Sequence, residues 1–436
     1  MGTSWNCALD TTLNIKEIIK ELQSKEYVIE SPKYYLKCLS YYNNKFYEYL
    51  KNNKNISIFS IQRVQIFLEM IHYYLDDIEH IKTTNVPVEL VPDLYNIIKE
   101  NNSNYSLIFK PDNDFNYMYL NISQEIIEGC EALGYKYDKN ICVVYFPLSE
   151  RNNILINCML YHEIGHHIDE ILKLKEKIKP NLSIITIEEI SSYYDEIKGT
   201  FSNLITNETT KKSKLAEELN EILKSWINEI IADLIAFHYI GIAYLLSLVE
   251  LTLVKEGYNY YSDSHPPLFL RLNFLFKLYN EQQYDKKIIK FKNLLKLINE
   301  YKQSTDYSFK KAIKIPIFFK AQVLESKILG ASKNILNILD KNLKIDKRYW
   351  FSNYIKDAVK SYLNLIPPIE YIDIVNKKRT CHSPFTTLNA AWIVKINYED
   401  KIKNKFEDED EYRNSINKLA SKALDSVSFV KWMEKN

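Results

Sequence analysis

The HExxH segment at residues 162–166 constrains this chain more than any other feature, because it fixes both a local structure and a chemistry. Two histidines four residues apart, His162 and His166, lie about 40° apart around a helix and one turn along it. Both imidazoles can therefore reach one metal ion. Glu163, about 100° from His162, can point to a water molecule on that metal without binding the metal itself. The surrounding pattern predicts a helix over residues 152–172.

A catalytic zinc site needs a third protein ligand and one open position. The metzincin pattern fails, because Asp169 and Leu172 stand where it requires glycine and histidine. The NExxAD string at residues 228–233 offers Glu229 as the ligand instead, on a second predicted helix. Asp233 shares a face with Glu229 and can accept the free N–H of a ligating imidazole. The alternative is an ordinary acidic pair on an amphipathic helix, which is common for ExxxD alone but weak where the residues between are apolar and an HExxH precedes them.

A third element is the sequence Ser-His-Pro-Pro at residues 264–267, followed by Arg271. Ser264 suits a helix N-cap, and the prolines suit a first helical turn. His265 would then stand at a helix start, where it can donate a hydrogen bond to a developing oxyanion. Arg271 can pair with Asp233, with another acid of the site or with substrate. A proline-stiffened turn with an exposed histidine fits the spacing equally well.

The order HExxH, ExxAD and HPP with a later arginine resembles the gluzincin peptidases. It is similar to the HtpX and CaaX-protease group and to the Lit-type phage-exclusion peptidase. The resemblance covers residues 162–271, with Ser264 where the family commonly has threonine. It implies one Zn²⁺ per chain and three kinds of site residue: the metal ligands His162, His166 and Glu229, the catalytic residues Glu163 and His265, and the metal-orienting or substrate-binding residues Asn228, Asp233 and Arg271.

Composition limits the partners and the compartment. Lys and Arg number 57 against 56 Asp and Glu, a net charge of +1, so no overall field attracts nucleic acid. The six cysteines form no CxxC pair, and we expect a reducing, cytoplasmic location. The longest apolar run, Leu234–Val254, contains His238 and Glu250, which favours a buried core helix over a membrane span.

The remaining pattern predicts mainly helices with a few strands. Residues 13–82 indicate three amphipathic helices. Tyr105–Lys110 and Phe115–Ile122 flank a turn-like segment and predict a hairpin, and Ile141–Phe146 predicts a buried strand. From Glu150 onward the pattern is helical almost to the end of the chain.

These elements predict a predominantly α-helical α+β fold. A zincin-like catalytic core, with a small sheet packed against the HExxH helix, is expected between two helical regions. The predicted regions are an N-terminal helical one at 1–85, the metallopeptidase domain at 86–285 and a C-terminal helical one at 286–436.

The predicted function is a zinc-dependent peptidase that hydrolyses protein or peptide with a metal-activated water and a glutamate base. No nucleic-acid partner and no membrane span are expected. One alternative is a regulatory or binding protein, a sensor or scaffold that keeps the metallopeptidase body without proteolysis. Such a protein would bind a partner protein, or nucleic acid through the lysine-rich residues 286–296. Another alternative is a structural-zinc or metal-free scaffold, which would have no need of Glu163.

Overall fold

A computed structural model of the chain describes residues 2–27, 31–79, 87–101, 105–114, 116–121, 140–178, 186–191, 208–255, 264–266, 268, 270–272, 274–275, 337–343, 352–372 and 379–435. The chain divides into two compact units, Met1–Asn153 and Ile154–Asn436. The boundary between these units falls within the predicted middle region, 86–285. The lysine-rich residues 286–296 lie outside the described part.

The first unit opens with helices, and the prediction of three amphipathic helices before residue 82 is confirmed. They are α1 (Gly2–Gln23), α2 (Ser31–Asn52) and α3 (Ile58–Glu79), and α4 (Val91–Asn101) follows them. α1 packs against both α2 and α3. Their shared core contains side chains at helical spacing that are at most 3% exposed: Ile15, Ile19, Leu22, Leu36, Leu39, Val64, Leu68 and Ile71.

A three-stranded mixed sheet completes the first unit, and its topology shows that the predicted hairpin is wrong. The strands are β1 (Tyr105–Asp112), β2 (Met118–Asn121) and β3 (Asn140–Pro147), in the order β1-β3-β2. β3 pairs in parallel with β1 and antiparallel with β2, so β1 and β2 lie on opposite edges. The cause is the apolar run of β3, which is buried from Cys142 to Phe146 and takes the central position.

The second unit is mainly helical. Its elements are a 3-10 turn (Ile156–Met159), α5 (Leu160–Leu172), α6 (Leu174–Ile178), α7 (Ile187–Ser191), α8 (Glu208–Ile240), α9 (Ile242–Lys255), α10 (Ser352–Leu363), β4 (Glu370–Ile372), β5 (Arg379–Cys381), α11 (Pro384–Asn397), α12 (Glu399–Lys403) and α13 (Glu409–Lys435). α5 packs on α8, and α11 packs on α10, α13 and α9. β4 and β5 form a small antiparallel sheet, which the sequence did not lead us to expect.

The apolar run Leu234–Val254 is not one helix, because the chain turns at Gly241 between α8 and α9. Gly241 has φ +58°, a left-handed conformation that strains residues with a Cβ. The side chain of Asn389, on α11, satisfies both sides of this break. Its Nδ2 donates to the carbonyl of Ile240 at 2.9 Å, and its Oδ1 accepts from the N–H of Ala243 at 3.0 Å.

The described part is thus predominantly helical with small sheets, which confirms the predicted α+β class at that level. None of the helices described is both long and apolar enough to cross a bilayer. Among the described cysteines, Cys7, Cys38, Cys142, Cys158 and Cys381 are free thiols.

The substitution Gly241→Ala tests the break between α8 and α9. A Cβ at this position would lie 2.9 Å from the Phe385 ring and would strain the backbone at positive φ. We expect a loss of about 2 kcal/mol of unfolding free energy, measured by urea denaturation. Asn414→Ala, at an exposed position of α13, is the control and should change stability little. A Gly241→Ala protein as stable as wild type would contradict this account of the break.

Candidate metal centre

α5 places the HExxH residues in the interior of the second unit. His162 and Glu163 are buried, whereas the side chain of His166 is 22% exposed. His166 therefore lies closer to solvent than His162. The helix ends at Lys173, which has φ 51° and donates its N–H to the carbonyl of Asp169.

α8 presents Glu229 to both histidines. Its Oε2 lies 3.3 Å from Nε2 of His162, and its Oε1 lies 3.4 Å from Nε2 of His166. One ligand atom from each of these three residues lies within 4.8 Å of the others. The three side chains therefore form a group that can hold a metal ion. Two helices supply it, and His166 and Glu229 are 63 positions apart in sequence.

The spacing of these atoms can be compared with that of a tetrahedral metal site. Zinc bonds of about 2.0–2.1 Å at tetrahedral angles separate two ligand atoms by about 3.3 Å. The separations of 3.3 and 3.4 Å, each to a different oxygen of Glu229, are close to this value and exceed the usual length of an N–H···O hydrogen bond. Two imidazole nitrogens and one carboxylate also suit a divalent transition metal. The residues therefore fit the metal that the sequence predicts.

Gly165 allows the two helices to come this close. A Cβ at this position would lie 2.7 Å from the carbonyl oxygen of Ala232 and 2.9 Å from its Cα, both backbone atoms of α8. Gly165 precedes His166, and Ala232 lies between Glu229 and Asp233. This close approach of the two helices thus falls among the residues of the candidate metal group, and a side chain at position 165 would meet the backbone of α8.

Asp233 lies behind His162, on the side away from Glu229. Its Oδ1 is 2.9 Å from Nδ1 of His162. Arg271 donates from Nε to Oδ2 at 2.8 Å and from Nη2 to Oδ1 at 2.5 Å, a bidentate pair. Of the partners that the sequence left open for Arg271, the structure thus places it on Asp233.

Tyr244 is a member of this cluster that sequence reasoning did not find. Its hydroxyl donates a short hydrogen bond to Oδ1 of Asp233 and lies 3.1 Å from Nδ1 of His162. Nη2 of Arg271 donates to the same hydroxyl at 3.3 Å. One tyrosine among 34, placed on the next helix, carries no signal in the sequence that could have identified it.

The charges of this cluster favour a cation. Burial lowers the pKa of His162, but the hydrogen bonds and charges of Asp233 and Glu229 outweigh burial and raise that pKa to about 10. Burial lowers the pKa of His166 to about 4, with His162 adding to the effect. Burial raises the pKa of Glu163 to about 7. Two carboxylates thus hold one positive charge at His162, where a metal ion would compete with the proton.

The remaining predicted residues lie beside this group. Nε2 of His265 is 3.8 Å from Oε2 of Glu229, and its side chain is 54% exposed. The hydroxyl of Ser264 lies 2.9 Å from Nδ1 of the same imidazole. Asn228 directly precedes Glu229 on α8, and its Oδ1 is buried with no hydrogen-bond partner among the described residues. His265 therefore stands on the solvent side of Glu229, and Asp233 on the interior side.

No protein-family profile, curated protein or solved structure matches this chain. Its function must therefore be inferred from the residues and geometry of the chain itself.

The substitution Gly165→Ala tests the helix crossing. The added methyl meets backbone atoms of α8, which cannot rotate away, so α5 and α8 must separate. We expect zinc affinity, measured by chelator competition, to fall by at least about tenfold, since metal sites tolerate little displacement of their ligands.

The double variant Gly165→Ala with Ala232→Gly is the matched control. Removing the Ala232 methyl should not restore affinity, because the clash is with the backbone. Wild-type zinc affinity in Gly165→Ala would show that the crossing does not hold the ligands in place.

Proposed function

We propose that this chain is a zinc metallopeptidase of the gluzincin type. The observation that carries the proposal is the grouping of His162, His166 and Glu229, whose ligand atoms lie within 4.8 Å of one another, with Glu163 next to His162. The order of the motifs along the chain, from HExxH to HPP, supports the same assignment. A zincin-like core, built on α5 and α8, is part of the proposal.

The exposure of the site supports a catalytic rather than a structural metal. Structural zinc sites are closed by four protein ligands, whereas catalytic sites keep one position open. Here three ligands come from the described residues, and the side chains of His166 and His265 are 22% and 54% exposed. His162 and Asp233 are buried on the opposite side. A substrate can therefore approach from the side of His166 and His265.

Each residue has a role in peptide hydrolysis that follows from its position. When bound, zinc supplies a Lewis acid that lowers the pKa of a water molecule to about 7 and polarises the substrate carbonyl. Glu163 accepts the proton that this water loses as it attacks the scissile carbonyl, and delivers it to the departing amine. His265 donates a hydrogen bond to the carbonyl oxygen as negative charge develops there.

The residues behind His162 orient its imidazole. Asp233 accepts the Nδ1–H of His162, and Arg271 neutralises and fixes Asp233 through two hydrogen bonds. Such support raises the basicity of a metal-bound imidazole and holds its ring in one orientation. Asn228 directly precedes Glu229, and its Oδ1 is buried. We propose that this side chain contacts the substrate or the side chains that would bind the metal. The proposed substrate is a protein or peptide.

Glu163→Gln separates catalysis from binding. Glutamine keeps the shape of the side chain but cannot accept a proton, so zinc content should stay at the wild-type level while hydrolysis slows. We expect cleavage of a peptide library, followed by mass spectrometry, to fall by about 10²–10⁴-fold. Glu170→Gln, an exposed position of the same helix, is the matched control and should cleave as wild type does.

Two results would overturn the peptidase assignment. The first is a zinc-loaded wild type that cleaves no member of the library. The second is a Glu163→Gln protein that cleaves as fast as the wild type. Either result would favour the alternative, a binding protein that keeps the metallopeptidase body without proteolysis.

A further inference from the structure

The hydroxyl of Tyr244 occupies the centre of the buried polar cluster behind His162. It contacts three partners: Oδ1 of Asp233, Nδ1 of His162 at 3.1 Å and Nη2 of Arg271 at 3.3 Å. The tyrosine side chain is fully buried, and its ring lies within 4° of parallel to the His162 imidazole.

The hydrogens in this cluster can be assigned from its geometry. Arg271 is a donor only, and the carboxylate of Asp233, paired with it in bidentate form, is an acceptor only. The single hydrogen of the Tyr244 hydroxyl is donated to Asp233, so the hydroxyl oxygen can only accept from its other neighbours. Both atoms that face Nδ1 of His162 are therefore acceptors. Nδ1 must therefore keep its hydrogen, so Nε2, which faces Glu229 at 3.3 Å, is the nitrogen that a metal ion would take from the proton.

The break at Gly241 brings Tyr244 into this position. A continuous helix would place residue 244 eleven positions beyond Asp233 and about 16 Å along the axis, out of contact. The turn at Gly241 sends α9 back toward the cluster. Asn389 of α11 holds the turn through its hydrogen bonds to Ile240 and Ala243, both at 3.0 Å or less.

We propose that Tyr244 is a positioning residue of the metal centre, which commits His162 to the Nδ1–H tautomer and so keeps Nε2 available for zinc. This inference rests on the proposed metal centre. The inference also links α11 to the metal centre, because Asn389 of α11 holds the start of α9, the helix that carries Tyr244.

Tyr244→Phe tests the proposal, because it removes the hydroxyl and keeps the ring. We expect zinc affinity, measured by competition with a chelator, to fall by about 10–100-fold. Cobalt(II) bound in place of zinc should show shifted visible absorption bands, because the orientation of the His162 ring is no longer fixed. A loss of stability alone would lower the melting temperature and leave the spectrum of the bound cobalt unchanged.

Tyr362→Phe is the matched control. Tyr362 is another fully buried tyrosine of the second unit, and its hydroxyl donates one hydrogen bond, to the carbonyl of Thr387 at 3.3 Å. This variant should keep the wild-type zinc affinity and cobalt spectrum. Asn389→Ala is a second variant that leaves Tyr244 itself unchanged, and it should weaken zinc binding because the start of α9 is no longer held.

The outcomes separate this inference from the proposed function. A wild type that binds zinc, with Tyr244→Phe equal to it in affinity and cobalt spectrum, would overturn the role of Tyr244 and leave the metal centre standing. A wild type that binds no zinc would overturn both. Unchanged zinc affinity in Asn389→Ala would overturn the link from α11 to the metal centre.

Discussion

The close crossing of α5 and α8 is the contact on which the candidate metal centre depends. Gly165 lies against the backbone of Ala232, so the two helices approach more closely than side chains would allow. At ordinary helix separations of 8–10 Å, side chains fill the space between two axes. Here the missing side chain lets Glu229 reach both histidines of the other helix at 3.3 and 3.4 Å. A glycine inside a helix is destabilising by itself, but at position 165 it permits the close approach of α5 and α8.

A second constraint is the burial of Asp233, which is 1% exposed. An isolated carboxylate in a protein interior costs several kcal/mol, and only partners with good geometry offset this cost. Arg271 supplies two hydrogen bonds, Tyr244 a third, and His162 lies at 2.9 Å. A helical scaffold would be simpler with an apolar residue here. The charge has a clear use in orienting His162, since a carboxylate fixes both the ring and its protonation.

The sequence predicted the residues of the candidate metal group because helical geometry links spacing to position. HExxH and ExxxD each place two side chains on one helix face, and the structure brings His162, His166 and Glu229 together as expected. The helical α+β class followed equally from periodicity.

Non-local contacts were beyond prediction. The hairpin was wrong because local turn signals cannot show that a third strand, β3, inserts between β1 and β2. The apolar run Leu234–Val254 gave no sign that Gly241 adopts positive φ, at a turn whose two sides are hydrogen-bonded by Asn389, far along the chain. Tyr244 enters the site only through that turn, so no local pattern could reveal it.

The most direct test of the account is the metal content of the purified protein, measured by elemental analysis for wild type, Glu229→Ala and Glu221→Ala. Glu221 lies on the same helix at an exposed position and is the control. The account predicts about one zinc per chain in wild type and in Glu221→Ala, and loss of zinc in Glu229→Ala, since a catalytic site has three protein ligands. No zinc in the wild type, or zinc retained in full by Glu229→Ala, would contradict it.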